Sequence, residues 1–117
     1  MQAGGAQLEN LVACSLLKYT QFRKDAAGEN WELYYLRDKE GREVDFVVTR
    51  NRRMQWLIEV KTSHGAIGGA LLYYTQKLRP KDSLQLVLEL ERAQEKSGIK
   101  IVPLAKWLEA LPFENGM

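Results

Sequence analysis

Cysteine is almost missing: Cys14 stands alone. That excludes an internal disulfide and a cysteine-based zinc site, and it makes a reducing, cytoplasmic compartment the expected one. No apolar run approaches the ~20 residues that a membrane helix needs. The opening MQAGGAQ has neither the basic nor the apolar region of a signal peptide. No Gly-rich loop ending in Lys occurs, which excludes a P-loop nucleotide site within the chain. Internal repeats and low-complexity segments are also lacking. Net charge is only +2, too small by itself to imply nucleic acid. What is present, 45% hydrophobic and 27% charged residues in 117, suits one globular domain with a modest core.

The patterning is mixed. Leu8, Leu11, Val12, Leu16 and Tyr19 recur at helical spacing, which predicts an amphipathic helix over 7–20. Residues 1–6 are small and Gly-containing and read as frayed; residues 23–30 read as a loop. Strands are predicted over 31–36, 43–49 and 55–61, joined by a turn at 37–41 and by the basic turn Arg50-Asn51-Arg52-Arg53. Ile67, Leu71, Tyr74 and Leu78 predict a second helix ending at Arg79-Pro80. Alternation of Leu84, Leu86, Leu88 and Leu90 predicts a strand with one buried face. Residues 91–98 read as a polar turn, 99–102 as a last strand. A C-terminal helix then opens at Pro103 and closes at Pro112; its apolar edge, Leu104, Trp107, Leu108 and Leu111, could cover the sheet or dock a partner. The first three strands should be antiparallel, and the passage from 55 to 90 is long enough for a parallel crossover. The expected class is α/β: a mixed central sheet flanked by helices.

The chemistry concentrates between Arg42 and Ser63. Asp45 interrupts the apolar run Val44-Asp45-Phe46-Val47-Val48, and Glu59-Val60-Lys61 closes Trp56-Leu57-Ile58. Side chains alternate along a strand, so Glu59 and Lys61 share one face while Val60 points into the core with Ile58. If the two strands pair, Asp45 can point from the same face as Glu59. Two carboxylates close together in a low-dielectric pocket repel by several kcal/mol, and a metal or Lys61 must relieve that. Mg²⁺ or Mn²⁺ takes one or two carboxylates plus other oxygens, here Asp45, Glu59 and the Val60 carbonyl. An ion-pair cluster that only stabilises the sheet would use the same residue types. Elsewhere two readings also stay open. Glu9 is a first-turn carboxylate complementing the helix dipole, or an acid of the pocket. The basic turn is a solvated hairpin tip, or a phosphate contact beside the acids. His64 reads as a solvated loop residue and Cys14 as a small packing residue; Tyr73 and Trp107 are the aromatics whose exposure is worth checking.

Glu9 on the first helix, Asp45 on the second strand and Glu59-Val60-Lys61 on the third resemble the PD-(D/E)xK nuclease superfamily. LENLVACSLLK, LYYLRDKEGREVDFVV and LIEVKTS are similar to one branch of it. That branch is the uncharacterised domain found C-terminal to predicted archaeal and bacterial AAA-type ATPases, and the similarity spans about residues 5–111. The resemblance implies a restriction-endonuclease-like αβββαβ core, followed here by a further strand and helix. It implies Asp45 and Glu59 as metal ligands, Lys61 as the catalytic base or water-holding group, and Glu9 as an auxiliary acid. Gln76 or Tyr73 would supply a polar group from the second helix. It further implies Mg²⁺ or Mn²⁺ as cofactor and DNA as substrate. Arg50, Arg52, Arg53, Lys77 and Arg79 are the candidate DNA contacts. An ATPase module in the same parent chain would be a partner, with residues 1–117 excised from its C-terminus, and a homodimer is a further expectation. The competing expectation is a catalytically silent nucleic-acid- or protein-binding accessory domain.

Overall fold

The computed structural model describes residues 3–113, with side chains from residue 5 onward. Helix α1 spans Ala3–Ala27, followed by β1 (Trp31–Arg37), β2 (Glu43–Arg50), β3 (Arg53–Ser63) and α2 (Gly69–Leu78). Then come β4 (Asp82–Glu89), β5 (Gln94–Lys96), β6 (Ile99–Pro103) and α3 (Leu104–Glu109). The six strands form one mixed sheet in the order β1-β2-β3-β4-β6-β5. β1, β2 and β3 pair antiparallel, β3 with β4 and β4 with β6 pair parallel, and β5 with β6 antiparallel. The mixed α/β class and the parallel crossover through α2 are as the sequence predicts. Among the described residues no helix is long and apolar enough to cross a membrane.

The core has two layers, one on each side of the sheet. On one side Leu8, Val12, Leu16 and Tyr19 of α1 pack on Trp31, Phe46, Val48, Trp56, Ile58 and Val60, with Leu104 and Leu111 closing that layer. On the other, Leu71 and Tyr74 of α2 pack on Val44, Val47 and Leu57. The C-terminal helix therefore covers the sheet beside α1.

Several local expectations are corrected. α1 extends through Ala27 and begins by Ala3, so residues 3–6 and 23–27 are helical; residues 1 and 2 lie outside the described residues. Leu11 is about half exposed, and the inner stripe runs instead through Leu8, Val12, Leu16 and Tyr19. Cys14 faces outward and is exposed rather than packed. α2 starts at Gly69, leaving Ile67 in the preceding loop. β4 is buried on both faces from Ser83 to Val87 because helices cover both sides of a central parallel strand. The polar segment 91–98 holds the short edge strand β5, turned onto β6 through Ser97 and Gly98, both at positive φ.

Candidate functional site

One irregularity in the sheet creates the site. On β1 Tyr34 pairs with Val47 and Leu36 with Val44, so the single residue Tyr35 stands opposite both Asp45 and Phe46. Such a bulge bends a strand and re-aims side chains. It is the reason that Val44 and Val47, three apart, both face α2 while Phe46 faces α1. Regular β2–β3 pairing ends at Phe46 with Ile58. Beyond that point the Val60 N–H donates to Asp45 Oδ2 at 2.8 Å. Asp45 thus replaces a main-chain partner, and its carboxylate lies in the gap between the strands rather than on the Glu59 face. The expectation of one shared face is corrected to this extent. Within a strand the N–H and C=O of one residue point to the same edge, so the Val60 carbonyl faces that gap as well. The Val60 side chain points into the core beside Ile58, as expected.

Glu59 and Lys61 do share a face, the α2 face, with Lys61 Nζ 3.9 Å from Glu59 Oε2. The Glu59 side chain is only 18% exposed against 39% for Lys61, so Glu59 is the group short of water. Burial first, and the nearby Asp45 second, push its carboxyl up to about 7. Burial also raises Asp45, although the Val60 N–H and Lys61 oppose it. Glu9 is raised by burial, then by Asp45 and Glu43. These shifts have one cause: carboxyls crowded where solvation is poor resist ionising. Glu9 projects from the second turn of α1, and no acid occupies the first turn, so the dipole-complementing reading fails. It lines a cavity of about 310 Å³ together with Tyr35, Arg37, Glu43, Asp45 and Phe46.

Loop 64–68 covers the site from the other side. Gln85, fully buried on β4 and level with Glu59, accepts from the Gly68 N–H at 3.1 Å and donates to the Ala66 carbonyl at 3.3 Å. That holds Gly68 against Glu59 closely enough that a Cβ there would lie 3.8 Å from the Glu59 carboxyl carbon. Sequence reasoning passed over Gln85 because it read the strand as one-sided. A Gln between two leucines in a strand buried on both faces is the signal that could have found it. Asp38 was also passed over: its carboxylate accepts from the Tyr74 hydroxyl at 2.5 Å and pairs with Arg42 at 3.0 Å, tying the β1–β2 turn to α2.

The cationic candidates are not gathered at the acids. Asn51 and Arg52, both at positive φ, form a two-residue turn about 20 Å from Glu59, at ~3.3 Å per strand residue. The turn is therefore set apart from the acids by the length of the β2–β3 hairpin, not beside them. Arg50 is committed elsewhere, paired with Glu29 and lying over the Trp31 ring. Glu29 also accepts from Trp31 Nε1 and from Arg23, and these bonds hold its carboxyl at about 2. Arg52 and Arg53 are exposed. Arg79 caps α2 in the left-handed conformation, far from the α2 N-terminus that meets Glu59. Lys77 Nζ lies 3.3 Å from the Tyr73 hydroxyl, and the Arg42 guanidinium stacks 3.9 Å over the Tyr73 ring. Gln76 and His64 are exposed, and Trp107 is partly buried against Trp56.

The donor set can be weighed against a divalent cation. Two carboxylates and one carbonyl from adjoining strands are hard oxygens of the kind Mg²⁺ or Mn²⁺ takes, with waters completing the shell. Among the described residues no group of three or more His, Cys, Asp or Glu side chains is spaced to hold a metal. The fit therefore rests on the two strand carboxylates, Asp45 and Glu59, and the Val60 carbonyl.

Fold and site together define a mixed α/β domain with an acidic cleft where two antiparallel strands part. The chain belongs to the family described as a domain of unknown function (DUF4143), whose model matches residues 4–107. No curated protein and no solved structure matches it.

Proposed function

We propose that the domain is a divalent-cation-dependent phosphodiesterase acting on DNA, of the PD-(D/E)xK kind that its motifs resemble. The observation that carries this reading is the meeting of Asp45 and Glu59 at the parted end of β2 and β3, both held above their ordinary ionisation range, with Lys61 beside Glu59. Buried acids paired across elements are costly, and function is the usual reason for retaining them. Asp45, Glu59 and the Val60 carbonyl would hold Mg²⁺ or Mn²⁺. Bound there, the ion would supply positive charge against the negative charge that develops on the phosphate oxygens. Lys61 donates a hydrogen bond to the attacking water and holds it toward phosphorus. The water oxygen bonds to phosphorus, the bond to one sugar oxygen breaks, that oxygen takes up a proton from solvent to leave as a hydroxyl, and the proton lost by the attacking water passes to solvent. Glu9 tunes the charge of the cleft from α1 without ligating.

Cleavage of plasmid and short duplex DNA with Mg²⁺ or Mn²⁺ tests this directly, against Asp45→Ala and Lys61→Ala. The expected result is activity in the native chain and none in either variant; equal activity in all three would discard the assignment. A second reading, a silent accessory domain of an AAA-type ATPase that binds nucleic acid or protein, is favoured by the lack of a three-residue ligand cluster among the described residues. It predicts no Mn²⁺ binding by calorimetry.

A further inference from the structure

Tyr35 is the most exposed of the large hydrophobic side chains described, at 74%. It is also the residue placed opposite the bulge that turns Asp45 into the cleft. Its ring lies against Phe46, centroids 5.7 Å apart and tilted at 46°, while most of its surface is open to solvent. Two cavities flank it. One, of about 310 Å³, runs to Asp45 and has Arg37 at its rim; the other, of about 170 Å³, lies against Glu9, Asn10 and Ala13 of α1. The larger is at the lower end of the size range of small-ligand pockets. An aromatic side chain that is anchored by one neighbour and otherwise solvated can stack with a planar ring of any identity, because every base has a π face.

Resting on the phosphodiesterase reading, we propose that Tyr35 is a stacking platform for an unpaired nucleobase, so that the site takes single-stranded or locally unpaired DNA in preference to a continuous duplex. A base inside a duplex is stacked on both sides and cannot lie on Tyr35 without leaving its neighbours. A free strand has no such cost. The base rests on Tyr35, and the attached phosphate reaches the acidic end of the same cavity, where Asp45 would hold a cation whose charge offsets that of the phosphate. Arg37, already near Glu43 at 3.9 Å and 75% exposed, can follow the adjoining backbone from the rim. Glu9, Glu43 and Asp45 make the cavity negative in the absence of a cation, so binding is expected to need one.

The test separates this inference from the catalytic reading. Binding of a fluorescent twelve-residue oligothymidylate and of a blunt duplex of equal length is measured by anisotropy in Ca²⁺, which takes the same oxygen ligands. The expected outcome is tighter binding of the single strand and a roughly ten- to hundredfold loss with Tyr35→Ala, the loss of one base stack. Tyr35→Phe should bind like the native chain, and duplex binding should be the same in all three. A 2-aminopurine in the oligonucleotide should lose emission on the native chain and not on Tyr35→Ala. Duplex preference, absence of binding, or equal loss of both ligands in Tyr35→Ala would each overturn the proposal. Cleavage that needs Asp45 but is indifferent to Tyr35 would sink this inference and leave the catalytic reading standing. Single-strand binding through Tyr35 without Asp45-dependent cleavage would do the reverse. Because Tyr35 is largely solvated, thermal melting of each variant should match the native chain.

Discussion

Glu59 ionises in a place where water is scarce and Asp45 is close. Its folded value, about 7, lies above the ordinary 4.5. Between those values the folded chain holds the proton while the unfolded chain releases it. Stability is therefore highest below about pH 4.5, as far as this group is concerned, and falls as pH rises toward 7. The linked loss is roughly 3 kcal/mol over that window. Urea denaturation of the metal-free domain across pH 4.5–8 should show this decline, and Glu59→Gln should flatten it. Adding Mg²⁺ at pH 8 should restore part of the stability to the native chain and none to Glu59→Gln, because a ligand that binds only the folded state stabilises it. Asp45 offers a finer dissection. Asp45→Asn can still accept the Val60 N–H and should fold with little change, yet lose cation binding in a Mn²⁺ titration. Asp45→Leu loses the acceptor too and should cost a further ~1–3 kcal/mol, the cost of a buried donor left unmatched.

Elements made the site more than single residues did. Gln85 on β4 holds loop 66–68 against Glu59 by two hydrogen bonds. Gln85→Leu would leave the Gly68 N–H and the Ala66 carbonyl without those partners; a loss of about 1–3 kcal/mol is expected. Hydrogen exchange at the Gly68 amide should speed up while the centre of β3 stays protected. At the far end of the hairpin, the Asn51 side chain accepts from the Asn30 N–H at 3.0 Å, and its backbone N–H donates to the Asn30 carbonyl. Asn51→Ala should lose about 1–2 kcal/mol, from the missing acceptor and the strained positive φ, without altering cation affinity.

The elements also show what could be read from the chain in advance. The two helices and the three antiparallel strands were legible because their apolar residues recur at 3.6 or 2.0 spacing. So was the pairing of Glu59 with Lys61, which needs only strand alternation. The place of Asp45 was not legible: a bulge adds one residue to β2, and parity arguments fail past it. Helix α1 outran its prediction because residues 23–27, three charged residues and two alanines, carry no apolar stripe. Strand β5 was missed for the same reason, since all three of its residues are exposed. The basic turn misled in a different way. Charge and sequence proximity suggested a place beside the acids for a phosphate contact, whereas strand length separates the turn from them.

At the scale of the molecule, β3 and β4 form the centre of the sheet, and their parallel pairing runs from Trp56 with Asp82 to Ser63 with Glu89. Leu57 and Leu86 are fully buried on opposite faces of this pair. Leu57→Ala or Leu86→Ala should each cost ~2–5 kcal/mol, read as a shift in urea midpoint at constant slope. Amides of β3 and β4 should be the last to exchange, and those of the edge strands β1 and β5 the first.

Glu9, Asp45, Glu59 and Lys61 all precede α2, yet the strand whose Gln85 braces their cover follows it. During synthesis every reactive group would therefore leave the ribosome before its support. A nascent chain ending at the second helix would carry all four side chains and lack the two Gln85 bonds that hold the loop against Glu59. Only when the fourth strand has emerged can Gln85 fix loop 66–68 over the acidic cleft, so the cover is the last part of the site to be set.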